Sequence, residues 1–365
     1  MTVLADRILL VLPSLERGGG ERVLLQLARS FLAAGREVHL AVLLGGGPLR
    51  GEVPDTAVLH ELIDAARAAK GFRLAYRAFP KLVSLLRAIE PQAVLSTMTG
   101  TNLLTVLACK RARVGPRLVL REAASLVNVK SRLKRLMMRR LYPRATELVA
   151  VSTGIAQELN RLGLAENKIH VIHNPVDPEK LRQQAAEDLP LKLRGKVPYI
   201  VSLGRLAEQK DQQTLLRAYA LSSLRMSHLL VIVGEGDQRL NLEQLGRELG
   251  VEDRLLLVGA MDNPYPILAG ASLHVLSSRW EGYPNVLLEA LALGVPVVSS
   301  DCPHGPRELL DDGRYGRLAP VADANALACA MAAELAQPCS DRQCVLTSHH
   351  PETIAACYLS LLDGP

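Results

Sequence analysis

Two carboxylates and two cations mark where chemistry could occur in this chain. Glu281 and Glu289 stand eight residues apart in SSRWEGYPNVLLEALALGVPVVSS (277–300), separated by a Gly-Tyr-Pro-Asn turn and the opening of an apolar helix. Pro284 is suited to the first helical position, where its fixed φ helps and its missing N–H is no loss. Asn285 and Val286 would then offer backbone N–H groups at the positive end of the helix dipole, a ready site for phosphate. Gly294 ends the helix, and VPVVSS reads as the next buried strand. Arg205 and Lys210, in SLGRLAEQKD, fall just beyond a predicted strand, where open α/β sheets bind ligands. Cations at that spacing, on a loop entering a helix, can clamp a diphosphate by charge-assisted hydrogen bonds. Taken singly, each pair also fits two solvated charges; Arg205 and Lys210 have Glu208 and Asp211 beside them.

A glycine loop is the third feature. Gly18, Gly19 and Gly20 lie between the strand RILLVL and a helix from about Glu21 to Ala34, where glycine permits close approach to a ligand and the helix start attracts anions. A nicotinamide-dinucleotide fingerprint needs a third glycine and an acidic residue ending the second strand. Val23 holds the first position, and the second strand runs through Leu43 and Leu44 into glycines with no carboxylate. The dehydrogenase reading fails on both counts.

These features sit on a repeated strand–helix alternation, the mark of parallel sheets with right-handed crossovers. Strands are predicted at 7–12, 37–44, 93–97, 117–122 and 147–152, with helices at 73–90 and 101–112 between them. A short helix in VSTGIAQELNRLGL and a strand in KIHVIHNPVD follow. The polar stretch DPEKLRQQAAEDLPLKLRGKVP breaks the pattern and is read as a linker. Alternation resumes with strands at 199–205 and 228–236, then RLLLVGA, SLHVLSS and VPVVSS, and it closes with a helix at 323–336. Two doubly wound, Rossmann-like α/β domains are expected, at 1–180 and 190–345. A separate helix within 349–365 is expected to pack back on the first domain.

Composition narrows the classes. A chain of 365 residues is long for one core, and 48% apolar residues suffice for two. No apolar run approaches the roughly 20 residues of a membrane-spanning helix, and the amino terminus lacks the pattern of a secretory signal. Six cysteines (109, 302, 329, 339, 344 and 357) form no C-x-x-C and no zinc-spaced cluster, so a reduced, cytoplasmic compartment is expected. The net charge of +6 is uneven: residues 130–144, KSRLKRLMMRRLYPR, hold seven basic side chains and no acidic one. Leu133, Leu136, Met137 and Leu141 fall at helical spacing there, which describes a basic amphipathic helix. It suits either an ordinary surface or the face of an anionic membrane. With aromatics at only 3%, stacking platforms for nucleic acid are scarce.

In order and spacing, the pieces resemble a family 4 glycosyltransferase of the GT-B fold, a group of retaining, nucleotide-sugar-dependent enzymes. The resemblance runs through GGGERVLLQLARSFLAAG, VSTGIAQEL, VIHNPVD, SLGRLAEQKD, VGEGDQR, LVGAMDNP and EGYPNVLLEALALGVPVV. SSDCPHGPRELL is similar to bacterial members that build surface polysaccharides or lipid-linked oligosaccharides. The resemblance implies that Glu281 contacts the donor sugar, Glu289 the ribose hydroxyls, and Arg205 with Lys210 the diphosphate. It implies that N–H groups near Asn285 and Val286 meet the distal phosphate or sugar, and that main chain near Val258 and Gly259 pairs with the base. Gly18 and Gly19 would let the first loop approach the phosphates. Such enzymes need neither metal nor cofactor, the donor being a co-substrate, here expected to be UDP-linked. The acceptor would be a glycan or lipid-linked glycan at the inner membrane face.

One departure stands out. Many relatives carry a histidine where this chain reads Arg121, Glu122, Ala123. Either Glu122 or Arg121 takes over acceptor contacts, or the acceptor is positioned otherwise. His173 and His304 sit in motif segments and are read as loop or packing residues. A nucleotide-sugar epimerase of the same fold and a catalytically silent nucleotide-sugar-binding protein remain as alternatives; product analysis without acceptor separates the first.

Overall fold

The computed structural model describes residues 6–67, 71–126, 129, 131–190, 193, 198–339 and 343–364. The chain divides into two compact units, Met1–Pro175 with His349–Pro365, and Val176–Ser348.

In the first unit, β1 (Arg7–Leu12), α1 (Gly19–Ala33), β2 (Glu37–Leu44) and β3 (Val58–Ile63) are followed by α2 (Phe72–Ile89), β4 (Ala93–Thr97) and α3 (Thr99–Ala112). Then come β5 (Arg117–Glu122), α4 (Arg132–Leu141), β6 (Glu147–Ala150), α5 (Thr153–Arg161) and β7 (Ile169–Val171). The seven strands pair in the order β3-β2-β1-β4-β5-β6-β7, all parallel. β3 lies outside the expected elements. It is an edge strand whose only buried residues are Leu62 and Ile63, so no apolar run announces it. Central strands such as β1, covered on both faces, are continuous apolar runs and legible for that reason.

In the second unit, α6 (Pro178–Ala185), β8 (Tyr199–Leu203), α7 (Gln212–Leu221), β9 (Leu229–Val233), α8 (Arg239–Glu248) and β10 (Leu255–Gly259) come first. Next are α9 (Tyr265–Ala269), β11 (Leu273–Leu276), α10 (Asn285–Ala292), β12 (Val297–Ser300), α11 (Pro306–Leu309), β13 (Arg317–Ala319), α12 (Ala324–Ala336) and α13 (Gln343–Ser348). The six strands run parallel in the order β10-β9-β8-β11-β12-β13. α6 occupies part of the stretch read as a linker. Asp177 caps it by accepting from the Lys180 N–H at 3.0 Å, Leu181 is buried, and the helix packs on α9 and α10. The break between units therefore precedes α6, at Pro175/Val176, not at 180–190.

The last helix, α14 (Pro351–Asp363), returns to the first unit and packs on α1 and over β4 and β5. Ile354, Tyr358 and Leu362 join the first core, and Asp363 pairs with Arg36 at 2.8 Å. On the sheet's other face, α3 packs between α2 and α4. Each sheet has one place where strand order reverses, between β1 and β4 and between β8 and β11. A cleft opens there at the carboxyl ends of the strands.

Candidate active site

At the second unit's switch point, the loops after β8 and β11 are tied together. The β8 loop is first stitched to its neighbour: Gly204 N–H donates to Val233 O at 3.0 Å and Leu206 N–H to Glu235 O at 2.9 Å. A Cβ on Gly234, at φ 150°, would lie 1.9 Å from the Gly204 carbonyl oxygen, so only glycine allows this approach. Asp211 then takes a left-handed conformation (φ 45°, ψ 46°), which turns the chain into α7 and sends Lys210 across to the β11 loop. Ser277 Oγ donates to Lys210 O (2.8 Å), Gln209 Nε2 to Trp280 O (2.9 Å) and Arg279 N–H to Gln209 O (2.8 Å). Arg279 also pairs with Asp211 at 3.1 Å.

This frame brings Lys210 Nζ to 2.5 Å from Glu281 Oε1, which also accepts from Ser278 Oγ at 2.6 Å. The pair is largely withdrawn from water, with side-chain exposures of 17% and 8%. Arg205 is exposed and has no salt-bridge partner among the described residues. Two of the four predicted charges thus neutralise each other, leaving Arg205 as the accessible cation. Below the pair, Ser300 Oγ donates to Ser278 O (2.5 Å) and Glu281 N–H to Pro303 O (3.2 Å). Gly305 (φ 90°) lets the 301–306 loop close on the site's turn, since a Cβ there would meet Pro284 Cδ at 2.7 Å. That contact gives DCPHGP its structural role, and His304 lies within the buttressing loop.

Pro284 is the N-cap of α10 and not its first helical residue. Its ψ of 93° is extended, and its carbonyl accepts from the Leu287 and Leu288 N–H groups. The chain needs that ψ to leave the buried turn, and a cap has non-helical dihedrals. Asn285 and Val286 are therefore the first two helical residues, and Pro284 gives this end no side-chain cap. Glu289, one turn in, accepts from Tyr265 Oη at 3.2 Å. Val258 and Gly259 end β10, where a register shift leaves Val258 without a ladder partner and Gly259 O accepts from Gly234 N–H at 2.9 Å. Gly259, Gly234, Arg205 and Glu281 consequently follow the carboxyl ends of neighbouring strands in one row.

The first unit's predicted residues behave differently. α1 starts at Gly19, two residues earlier than expected, with Gly18 as its cap at an ordinary φ of −103°. A Cβ on Gly18 would lie 1.9 Å from Glu21 Oε2, so the glycine makes room for a carboxylate folded back over the helix start. Burial pushes the Glu21 pKa up, and Ser14 Oγ donates to it at 3.5 Å. Glu21 went unread, although a carboxylate three residues after a cap is a capping-box signal.

Arg121 and Glu122, at the position of the expected histidine, are both buried. Arg121 is wholly buried, donating to Tyr358 Oη (3.1 Å), Thr97 Oγ1 (2.9 Å) and Asn174 Oδ1 (2.5 Å). Glu122 accepts from Thr99 Oγ1 (2.8 Å) and Tyr142 Oη (2.6 Å), and burial raises its pKa to about 7. Both side chains thus belong to a buried hydrogen-bond network. His173 stacks on His349, ring centroids 5.2 Å apart. The basic segment forms the expected helix, α4, whose Met138 and Leu141 are buried while Leu133 and Leu136 are exposed; Lys130 lies outside the described residues.

Sequence reasoning also missed His274, at the centre of β11. It is fully buried, neither ring nitrogen has a hydrogen-bond partner among the described residues, and burial lowers its pKa to about 3. Its flanking apolar run, LHVL, masked it. A pocket between β3 and α2, lined by Leu62, Pro80, Lys81 and Leu85 among others, holds none of the predicted site residues. Among the described residues, no cluster of three His, Cys, Asp or Glu could hold a metal ion, and no helix is long and apolar enough to cross a membrane.

Two parallel-sheet, Rossmann-like units of this kind make the GT-B fold. The Anabaena protein HepE in complex with UDP-glucose matches at a TM-score of 0.74 and 20% identity, over 98% of this chain and 96% of that one. The chain belongs to the family 4, or group 1, glycosyltransferases: the model described as Glycosyltransferase Family 4 matches residues 17–180, and that of Glycosyl transferases group 1 matches 197–337. A Campylobacter jejuni N-acetylgalactosamine-N,N'-diacetylbacillosaminyl-diphospho-undecaprenol 4-alpha-N-acetylgalactosaminyltransferase is 30% identical over 325 residues, 86% of each chain. The Escherichia coli lipopolysaccharide 1,6-galactosyltransferase is 30% identical over 174 residues, 47% of each.

Proposed function

We propose that this protein transfers a hexosyl or N-acetylhexosaminyl group from a UDP-sugar to a lipid-linked or growing surface glycan. In this reading transfer retains configuration and needs no metal. The observation that carries it is the Lys210–Glu281 pair, held 2.5 Å apart at a switch point beside the exposed Arg205. The relatives' names support the donor and acceptor classes: one acts on a diphospho-undecaprenol glycan, and HepE binds UDP-glucose.

The bond between the anomeric carbon and the diphosphate oxygen breaks, and its electron pair leaves on the diphosphate. Arg205 meets that charge first. Lys210 has three N–H donors, so it can keep Glu281 and still donate to phosphate. The start of α10, at Asn285 and Val286, adds backbone N–H groups and the positive dipole end. Glu281, fixed by Lys210 and Ser278, offers its other oxygen to the sugar as that becomes oxocarbenium-like. Glu289 takes the ribose hydroxyls, main chain at Val258 and Gly259 the base, and Gly18 with Gly19 the phosphates. The acceptor hydroxyl attacks the face the diphosphate leaves and gives its proton to that leaving group, which produces retention. The enzyme works on the inner membrane face, with the basic helix α4 contacting anionic lipid.

The test is a panel of nucleotide sugars, scored by donor hydrolysis, by transfer to a diphospholipid-linked acceptor, and by protection against thermal unfolding. A UDP-sugar is expected to raise the melting temperature and to be consumed in the presence of EDTA. No protection by any nucleotide sugar would remove the donor site. An epimerised sugar released without acceptor would convert the reading to epimerase.

A further inference from the structure

The first turns of α2 carry two large aromatics in solvent: Phe72 is 84% exposed and Tyr76 is 74% exposed. One helical turn apart, they share a face of α2. The whole chain has only three Phe, eight Tyr and one Trp, so this is a large share of its aromatic surface on one helix end. Arg73, Arg77 and Lys81 flank them, and α2 contains no acidic residue. α4 repeats the chemistry with aliphatic side chains. Leu133 is 66% and Leu136 44% exposed, set among Arg132, Lys134 and Arg135, again with no acid in the helix. Arg73, Lys81, Arg132 and Arg135 have no salt bridge among the described residues.

Topology puts these two helix starts at the same edge of the sheet, with α3 between the helices. A crossover helix runs opposite to the parallel strands it joins, so α2 and α4 both begin at the carboxyl edge of the sheet. Both pack on α3, on the same face. With neighbouring helix axes about 10 Å apart, the two starts are about 20 Å from each other. The glycine loop and Glu122 end their strands at this same edge.

We propose that the start of α2 is a membrane-insertion element: Phe72 and Tyr76 enter the headgroup–acyl boundary of an anionic bilayer, while the cations of α2 and α4 hold its phosphates. Aromatic rings with an apolar body suit that boundary, and a basic helix end without acids repels basic surfaces and attracts anionic ones. The occupant is a bilayer because both helices offer apolar tips backed by cations, Arg73 and Lys81 on one and Arg132 and Arg135 on the other, at two points about 20 Å apart. The inference rests on the lipid-linked acceptor reading and assigns α2 a part that α4 alone does not supply.

The full chain is tested with phosphatidylcholine vesicles with and without phosphatidylglycerol, by sedimentation at rising salt. Wild type is expected to bind only the anionic vesicles, more weakly as salt rises. Phe72→Ser with Tyr76→Ser should reduce partitioning by roughly 10- to 100-fold, and each neutralisation to Gln among Arg132, Lys134 and Arg135 by about fivefold. Since both aromatics lie in solvent, the variant should keep the wild-type melting temperature and UDP protection. Unchanged vesicle binding by the double variant overturns the proposal. So does a fall in oligomeric mass on substitution without loss of vesicle binding, which would make the aromatics a contact between copies. Lost vesicle binding in a protein that no nucleotide protects supports the surface while removing the donor-site reading.

Discussion

Glu281 and Glu122 are both buried carboxylates at the carboxyl ends of parallel strands, and their settings are opposite. Glu281 has a lysine at 2.5 Å, a serine hydroxyl on the same oxygen, and an exposed arginine on the neighbouring loop. Glu122 has only hydroxyl donors in contact, Thr99 and Tyr142, and burial lifts its pKa to about 7. Glu281 has an opposite charge in contact, whereas burial among hydroxyl donors favours the protonated form of Glu122. In the proposed function, that difference separates the donor site from a packing network in the same fold.

Breaking the ion pair should have the largest effect. Lys210→Met strands a buried carboxylate, and we expect a loss of about 3–5 kcal/mol in denaturant unfolding. Adding Glu281→Gln should restore most of that stability but leave transfer down by roughly 10²–10³. A double variant that regained transfer would show the pair to be structural, like Glu122.

The pH dependence sharpens the contrast. The folded pKa of Glu122 lies above its ordinary 4.5, so its stabilising proton is fully held below that pH and lost as pH rises through about 7. The loss amounts to about 3 kcal/mol, and Glu122→Gln should flatten it. His274 has the reverse sign. Its folded pKa is lowered from 6.5 to about 3, so its contribution is complete above 6.5 and declines as pH falls towards 3. Trp280, the single tryptophan, lies in the second unit and reports that unit's unfolding by fluorescence. Urea midpoints read at Trp280 should fall with acid in wild type and change less in His274→Leu. A Glu122→Gln protein as pH-sensitive as wild type between pH 5 and 7 would mean that Glu122 is not the titrating group.

The smallest effect is a gain. Both ring nitrogens of His274 lack hydrogen-bond partners among the described residues, so His274→Leu removes two unsatisfied buried polar atoms and should stabilise by about 1–3 kcal/mol near pH 7. Destabilisation instead would point to a partner for the ring, and the second unit would then hold a polar network of its own.

The amino-acid sequence by itself determined the alternating α/β pattern, because buried parallel strands are continuous apolar runs and crossover helices have their own period. It also determined which residues follow the strand ends at the second switch point: Gly204, Arg205 and Lys210 after β8, and Glu281 after β11. β3 and α6 were not legible, since an edge strand and a surface helix capped by Asp177 have too few buried residues to leave a pattern. Only the tertiary structure decided how the charges pair. Arg205 and Lys210 look equivalent along the chain. The left-handed turn at Asp211 and the Ser277–Lys210 bond direct one of them onto Glu281, and Arg205 stays in solvent. Nor does the sequence distinguish Glu122 from Glu281. Whether a buried carboxylate meets a lysine or a tyrosine depends on which strands are neighbours, and sheet order is a property of the fold.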